Sequence, residues 1–338
     1  MEFSNVSVLS AAHIDAPHIV SSQKIESELE PMLTRLGLRP NIISELTGIT
    51  ARRFWDEKTA PSDVATCAAE RVLEKAELDR SKIGVIINTS VCKDYIEPSV
   101  ASLVHGNLKL SSHCINFDIG NACLAFVDAI GIVGNMIERG QVDYALIVDG
   151  EGSRFITEET IKRLLDPNCS ELEFRSNFAS LTLGSGAVAM ILCNSKFVDG
   201  QHRVISSVTQ AATEYNRLCT GQVDKMQTNA NTLFKKGLEL AHQTMQLAID
   251  KMGWFQKDFA QYIIHQVSEN HTSQVAKLFN LDLDKVYKIY RDFGNIGPAS
   301  IPIAFSKALD EGCIKEGDRV GVMGIGSGIN VTMMEILW

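Results

Sequence analysis

The alternation of apolar and polar positions is clearest between residues 113 and 151. Every second residue from Ile115 to Ile119 is apolar, which is typical of a β-strand. Gly120 and Asn121 interrupt this pattern, and a helix with apolar residues around most of its circumference is expected to begin near Cys123. Such a helix is usually buried. The pattern therefore predicts a strand, a tight turn, a buried helix and a second strand.

Strands and helices are predicted to alternate along the rest of the chain. Strands are expected at 3–12, 83–91, 143–151, 202–211, 262–268 and in the last two segments, and helices at 21–37, 61–76, 228–253, 268–279 and 298–312. This alternation favours a layered α/β fold. LGSGAVAM at 183–190 is echoed by IGSGINVTM at 325–333, which suggests two similar halves, residues 1–198 and 199–338.

Composition and charge exclude several classes of function. The net charge of −9 and the lack of a Lys/Arg run argue against a nucleic-acid surface. No stretch approaches the roughly 18 apolar residues of a membrane span, and the first residues lack the pattern of a signal peptide. Eight scattered cysteines without a C-x-x-C pair indicate reduced thiols and no zinc site. We therefore expect a cytoplasmic protein without a metal.

Cys123 is the first candidate for chemistry. One interpretation is purely structural: Cys123 is a small core residue, since unpaired cysteines are often buried. A strand–turn–helix context, however, is the usual presentation of an activated nucleophile. Backbone N–H groups and the helix dipole at this position are expected to favour a thiolate.

Two further residues are candidate partners of this thiol. His265 follows the apolar strand YII and precedes a predicted helix N-cap at Ser268, so it is expected at the carboxyl edge of a strand, where α/β sites are built. Asn295 lies between two glycines in FGNIGPAS, where an asparagine can also be a simple turn residue. The glycine cluster GIGSG precedes a strand-like segment, which argues against a dinucleotide-binding loop.

Glu97 and the pair Arg52 and Arg53 allow two interpretations each. Pro98 is expected in the first turn of a helix, so Glu97 is either an anion at the helix N-terminus or a general base. The helix dipole lowers a carboxylate pKa, whereas a base for a weak carbon acid needs its pKa raised by desolvation. The two arginines, close to Trp55, are either a loop charge pair or a contact to a polyanion such as a phosphate.

NACLAF, IIHQ and GNIGPAS resemble the three active-site motifs of the ketoacyl synthase III branch of the thiolase superfamily. TGI followed by two arginines, and the closing GIGSG, match the branch in order, so the resemblance covers essentially the whole chain. Within the branch, the sequence is most similar to the enzymes of olefin biosynthesis that condense two long-chain acyl-CoA molecules head to head. The resemblance implies a thiolase fold, with two similar halves in an α-β-α-β-α sandwich.

The resemblance also implies a role for each motif. Cys123 would attack an acyl-CoA thioester and hold the acyl chain. The backbone N–H groups of Cys123 and Ser327 would stabilise the oxyanion. His265 and Asn295 would donate hydrogen bonds to the second substrate as it becomes an enolate. The product would be a 2-alkyl-3-ketoacyl thioester, and its hydrolysis would give a β-keto acid.

The remaining implied roles concern partners. Condensation without decarboxylation needs a base, and Glu97 matches the glutamate that reaches the site from the partner subunit in these enzymes, which would make the homodimer obligatory. Arg52 and Arg53 match the position of contacts to coenzyme A. No cofactor is expected beyond the thioester substrates, and later enzymes of the olefin pathway are possible partners.

Three other functions compete with this hypothesis. The first is a decarboxylative 3-oxoacyl-ACP synthase III that uses malonyl-ACP. The second is a Cys-His-Asn hydrolase, but the NACLAF context is not that of a papain-like protease. The third is a non-catalytic scaffold, but none of the motifs is altered in a way that would indicate lost activity.

Overall fold

The computed structural model describes residues 1–254 and 259–338. Within them the chain forms thirteen strands: Val6–Asp15 (β1), His18–Ser21 (β2), Ala51–Phe54 (β3), Ile83–Asn88 (β4), Ile115–Asp118 (β5), Tyr144–Glu151 (β6), Gly186–Asn194 (β7), Arg203–Ala211 (β8), Cys219–Gly221 (β9), Met226–Thr228 (β10), Gln261–Ile264 (β11), Arg319–Gly326 (β12) and Asn330–Leu337 (β13). The same residues form twelve α-helices: Ser22–Glu28 (α1), Glu30–Arg35 (α2), Ile42–Thr47 (α3), Pro61–Lys75 (α4), Val100–Asn107 (α5), Ala125–Glu138 (α6), Arg154–Leu164 (α7), Glu171–Asn177 (α8), Ala230–Met252 (α9), Glu269–Phe279 (α10), Tyr290–Phe293 (α11) and Ser300–Asp310 (α12).

Nine strands are hydrogen-bonded in the order β11-β12-β13-β8-β1-β7-β6-β4-β5. β4 pairs in parallel with β5 and β6, and β11 pairs in parallel with β12. The other neighbours in the row are antiparallel. Strands β1 and β8 share one residue pair, Ser7 with Arg203. This single pair joins a first group of strands, β5, β4, β6, β7 and β1, to a second group, β8, β13, β12 and β11.

Helices α6 and α12 form the middle layer. α6 packs on β6 and β7 and also on β13, whereas α12 packs on β1 and β7 and also on β11. Their apolar side chains, such as Phe126 and Phe305, belong to one core that includes both groups of strands. Helices α4 and α5 cover the outer face of the first group, and α9 and α10 cover that of the second. This arrangement confirms the predicted layered α/β fold.

Most predicted elements are present, with informative exceptions. The helix expected over 21–37 is divided at Leu29 into α1 and α2, two residues before Pro31. The two-stranded antiparallel sheet of β2 and β3 was not predicted, because its strands are only four residues long and contain several polar side chains. Both segments of the internal echo lead into a strand, β7 or β13, while the division at residue 198 stays a prediction. Among the described residues, no helix combines the length and apolar character needed to cross a bilayer.

Candidate active site

Cys123 lies on the tight turn that leads from β5 into α6, as predicted. Ala122 adopts the left-handed region with φ of 45°, which is uncommon for a residue other than glycine. The N–H of Leu124 donates to the Asn121 carbonyl at 3.0 Å, and the N–H of Ala125 donates to the Ala122 carbonyl at 3.2 Å. The turn therefore presents a free, half-buried thiol two residues before the first residue of a buried helix.

A polar network that the sequence did not reveal fixes this turn. The Asn121 amide donates to Asp128 on α6 at 2.6 Å, and the Thr332 hydroxyl donates to the other Asp128 oxygen at 3.2 Å. The Asn330 amide donates to the Asn121 side-chain oxygen at 3.1 Å. The one available signal was an acidic residue, Asp128, early in an otherwise apolar helix. The network ties the Cys123 turn to both α6 and β13.

The glycine cluster GIGSG comprises the last three residues of β12 and the first two of the turn into β13, and these strands pair as antiparallel neighbours. The prediction that it leads into a strand is therefore confirmed. A Cβ atom on Gly324 would lie 2.3 Å from Leu124 Cδ2, so only glycine allows this hairpin to approach the residue after Cys123. The turn that contains Ser327 consequently packs close to the Cys123 turn. An oxyanion role for the Ser327 and Cys123 N–H groups stays a prediction.

The resting thiol of Cys123 is protonated. Burial raises its pKa to about 12, and the neighbouring Cys219 and Glu151 act in the same direction. The backbone N–H of Cys123 lowers this pKa, in the direction expected, but it does not suffice to make the resting thiol a thiolate. The helix N-terminus favours negative charge, but this effect is outweighed by desolvation and by nearby acidic groups.

We expect Cys123 alkylation by iodoacetamide to accelerate about tenfold per pH unit from pH 7 to 10, without a plateau, because the thiolate fraction rises in that proportion below the pKa. Peptide mapping of the alkylated protein measures the rate at Cys123 separately from the other cysteines. A plateau below pH 9 would contradict this result, since it would reveal a thiolate in the resting enzyme.

His265 directly follows β11, which confirms its predicted place at the carboxyl edge of a strand. It is only 3% exposed, and its backbone N–H donates to the Met323 carbonyl at 2.8 Å. Burial lowers the pKa of its imidazole to about 4, although the Asn295 side chain acts to raise it. Within the described residues neither ring nitrogen has a hydrogen-bond partner of standard geometry. The ring is therefore neutral at pH 7 and keeps the capacity to donate one hydrogen bond.

Asn295 is held in place through its backbone and its side-chain oxygen. Its N–H donates to the Thr182 carbonyl at 2.9 Å, and its carbonyl accepts from Gly184 N–H at 2.9 Å. Its side-chain oxygen accepts from Gly297 N–H at 3.0 Å. This last bond orients the Asn295 side chain, which also interacts with the His265 ring. The structure thus brings Asn295 and His265 together, and their roles as donors to a substrate stay a prediction.

Glu97 lies on an exposed loop, residues 91–98, between β4 and α5. Helix α5 is capped by Ser99, and its first N–H groups, Val100 and Ala101, donate to the Asp118 carboxylate at 3.2 and 2.9 Å. The interpretation of Glu97 as the anion at this helix N-terminus is therefore wrong, because Asp118 fills that role. Glu97 itself is exposed to solvent.

Arg52 is misassigned as a contact to coenzyme A. Its side chain is 0% exposed, and its guanidinium donates to the Val20 carbonyl, the Ser22 hydroxyl and the Leu181 carbonyl. A group enclosed in this way cannot touch a phosphate at the surface. Arg53 is half-buried; it donates to the Ala16 carbonyl at 3.2 Å and lies over the Phe293 ring. Its contact to coenzyme A stays a prediction.

Replacing Arg52 with methionine is expected to lower the free energy of unfolding by about 3 kcal/mol, because three buried acceptors lose their donor. Denaturant unfolding measures this loss. The KM for acyl-CoA of the folded variant should match that of the unmodified enzyme. A raised KM with unchanged stability would restore Arg52 as a substrate contact.

Sequence reasoning also missed Glu151, the last residue of β6. Its carboxylate accepts hydrogen bonds from Val91 N–H at 2.5 Å and Cys92 N–H at 3.3 Å. Burial raises its pKa to about 7. The available signal was a carboxylate at the end of a buried strand, the edge where α/β sites are built.

Comparison with protein families gives two matches to 3-oxoacyl-[acyl-carrier-protein (ACP)] synthase III. One model matches residues 117–212, and the model of the C-terminal part matches residues 249–338. The acyl-CoA:acyl-CoA alkyltransferase of Xanthomonas campestris pv. campestris is 46% identical over 338 residues, which cover 100% of both chains. The enzyme of the same name from Shewanella oneidensis is 33% identical, again over 100% of both chains. A β-ketoacyl-[acyl-carrier-protein] synthase III of Ruegeria pomeroyi is 29% identical over 88% of this chain and 90% of its own.

Solved structures agree with these relatives. A cysteine-to-alanine variant of Xanthomonas campestris OleA superposes with a TM-score of 0.98 at 46% identity, over 100% of this chain and 98% of that chain. A cysteine-to-serine variant with bound lauric acid and lauroyl-CoA also gives 0.98, over 99% and 100%. Other OleA structures carry a replaced glutamate or histidine. This chain belongs to the 3-oxoacyl-[acyl-carrier-protein] synthase III family, and within it to the group of the acyl-CoA:acyl-CoA alkyltransferases.

Proposed function

We propose that this enzyme condenses two long-chain acyl-CoA molecules head to head without decarboxylation. The observation that carries the proposal is the 46% identity along the full length to an acyl-CoA:acyl-CoA alkyltransferase. The residues replaced in the OleA variants have the same spacing along that chain as Glu97, Cys123 and His265 have here. These three residues are therefore the ones to which we assign the chemistry, together with Asn295.

The first half-reaction is transfer of an acyl chain to Cys123. The sulfur attacks the thioester carbonyl of the first acyl-CoA, and the N–H groups of Cys123 and Ser327 receive the negative charge of the tetrahedral intermediate. The C–S bond to coenzyme A then breaks, and the departing thiolate takes the proton that Cys123 loses. Because the resting thiol is protonated, attack and proton loss are coupled in this step.

The second half-reaction forms the carbon–carbon bond. Glu97 removes a proton from the α-carbon of the second acyl-CoA, while neutral His265 and the Asn295 amide donate hydrogen bonds to the oxygen of the resulting enolate. The enolate carbon attacks the acyl carbonyl on Cys123, and the Cys123 thiolate leaves and takes the proton from Glu97. The product is a 2-alkyl-3-ketoacyl thioester, and hydrolysis converts it into a β-keto acid.

Glu97 requires a second copy of the chain, so we propose a homodimer. On loop 91–98, Tyr95 is 61% exposed and Ile96 is 99% exposed, although both are large and apolar. Edge strand β5 lies at the end of the sheet, and its Ile115 is 51% exposed. A second copy that pairs with this edge would cover the apolar side chains and would place Glu97 in the neighbouring site.

The proposed chemistry defines its partners. Thioesters of coenzyme A are the only reactants, so the reaction needs no cofactor. We place it in the cytoplasm, because eight free cysteines suit a reducing compartment. A β-keto acid is the starting material for reduction and decarboxylation, so we assign the enzyme the first step of long-chain olefin biosynthesis, with later enzymes of that route as partners.

A single acyl-CoA supplied as sole substrate tests this function. Free coenzyme A is followed with a thiol reagent, and lipid products are identified by mass spectrometry. A β-keto acid with twice the carbon number of the substrate, or the ketone formed by its decarboxylation, is the expected product. A product two carbons longer than the substrate, formed only when a malonyl donor is added, would contradict the proposal. It would establish a decarboxylative synthase, which is the activity that the name of the Ruegeria pomeroyi relative gives.

A further inference from the structure

Glu151 joins the Cys123 site to the loop that carries Glu97. Its side chain is buried at 6% exposure, and its backbone carbonyl accepts from the Trp55 indole at 2.9 Å. Among the described residues no lysine or arginine forms an ion pair with it. Its carboxylate instead accepts the N–H groups of Val91 and Cys92, which are the first two residues of loop 91–98.

We propose that Glu151 is a positioning residue for Glu97: its carboxylate fixes the start of loop 91–98 and thereby sets where Glu97 enters the partner's site. This inference rests on the proposed function, because it assigns Glu151 to the condensation step. Hydrogen bonds from two neighbouring backbone N–H groups to the two oxygens of one carboxyl group are directional, so they define both the position and the orientation of the start of the loop.

The Cys92 thiol adds one further bond at the start of the loop, to the Gly152 carbonyl at 3.2 Å, and the remaining anchors are at residues 93 and 94. Lys93 pairs with Asp118 at 3.0 Å, with its own side chain 46% exposed. Asp94 accepts from the Ser62 hydroxyl at 2.6 Å and from its N–H at 3.1 Å. These contacts leave Tyr95, Ile96 and Glu97 as the free apex. Removal of the buried anchor at the start of the loop therefore shifts the apex, and a displacement of about 1 Å costs roughly a hundredfold in rate.

Glu151 also faces its own active site, so the experiment must separate the two directions. A Cβ atom on Gly297 would lie 3.8 Å from Glu151 Cδ, and the charge of Glu151 acts on the Cys123 thiol. The other titratable groups that act on or are affected by Glu151 are Asp149 and the Cys92 thiol. If Glu151 acted as a base in its own site, its loss would slow condensation at the Cys123 of the same subunit. If Glu151 positions the loop, its loss slows condensation at the Cys123 of the partner subunit.

Glu151→Gln tests the inference because it keeps the shape of the side chain but directs an NH₂ group at one of the two N–H donors. We expect condensation to be slowed about a hundredfold, whereas acylation of Cys123 should not be slowed, because loss of the Glu151 charge acts to lower the pKa of the thiol. Glu173→Gln is the matched control, since Glu173 also accepts a backbone N–H, from Ser170 at 2.8 Å, but on an exposed helix cap. The control should change neither rate.

Mixed dimers show the direction in which Glu151 acts. Consider a Glu151→Gln subunit paired with a Cys123→Ala subunit. The one remaining Cys123 lies in the Glu151→Gln subunit, and the loop that reaches it comes from the Cys123→Ala subunit, whose Glu151 is intact. The proposal predicts that this mixed dimer condenses acyl-CoA at the same rate as a dimer of one unmodified subunit and one Cys123→Ala subunit. A mixed dimer as slow as the Glu151→Gln homodimer would overturn it, as would a Glu151→Gln homodimer that condenses at the unmodified rate.

Two further measurements keep the inference testable. If Glu151→Gln does not fold, Glu151→Asp replaces it, since the shorter carboxylate cannot reach both N–H groups; slower condensation with intact acylation is again expected, and equal loss of both rates overturns the proposal. If the unmodified enzyme makes no condensation product, the proposed function fails, but amide hydrogen exchange still decides the contact. Amide exchange at Val91 and Cys92 should be faster in the variant, and exchange at Ser170 should be unchanged. Unchanged exchange at Val91 and Cys92 would refute the proposed contact with Glu151.

Discussion

Cys123→Ala is expected to abolish both acylation and condensation, with a loss of about 10⁶-fold, because the covalent intermediate forms on the Cys123 sulfur. Intact-mass spectrometry after incubation with acyl-CoA should show no acyl adduct, and thiol detection should show no enzyme-dependent release of coenzyme A. The network around Asn121 and Asp128 does not involve the Cys123 sulfur, so the variant should fold normally.

Cys219→Ala is the matched control for this prediction. Cys219 is close enough to act on the Cys123 thiol, but it lies on the small hairpin strand β9 and not on the turn before α6. This variant should form the acyl adduct at nearly the unmodified rate. An adduct that forms on Cys123→Ala and disappears in Cys219→Ala would move the nucleophile to Cys219.

Glu97→Ala is expected to separate the two half-reactions. Acylation of Cys123 should stay within about twofold, because in the proposed dimer Glu97 acts only on the second substrate. Condensation should fall about 10³-fold, the usual effect of losing a general base. The bound acyl chain is then released slowly as fatty acid. Intact mass reports the first step, and lipid analysis reports the second.

An exposed carboxylate outside loop 91–98 provides the control for Glu97→Ala. Glu57, whose side chain is 76% exposed, pairs with Arg154 at 3.6 Å. Glu57→Ala should leave both half-reactions unchanged. Full condensing activity in Glu97→Ala would remove Glu97 from the mechanism and would leave Glu151, the buried carboxylate of the same subunit, as the base to examine.

The sequence predicted the parts of the site that are encoded locally. Cys123 stands where an alternating strand gives way to an apolar helix, His265 ends a strand, and Asn295 lies in a glycine turn, so each has a signal within a few residues. The layered fold followed from the alternation of strands and helices. For these features the local pattern and the packing agree.

Features that depend on distant contacts were not predictable in this way. Arg52 has the sequence context of a surface charge, yet β2, α1 and the segment at Leu181 enclose it. Glu97 precedes a helix, but Asp118, from a separate strand, occupies the helix N-terminus. The pKa of Cys123 depends on burial and on groups from β6 and β9, which no local pattern near residue 123 contains. Tertiary packing decided each of these cases.

The most direct test of the mechanism is complementation between two inactive variants. Glu97→Ala and Cys123→Ala homodimers should each fail to make β-keto acid from acyl-CoA alone. A mixed dimer contains one site with Cys123 from the first subunit and Glu97 from the second, so it should regain up to about half of the unmodified activity. If the purified mixed dimer remains inactive while the unmodified enzyme condenses acyl-CoA, Glu97 does not act across the interface.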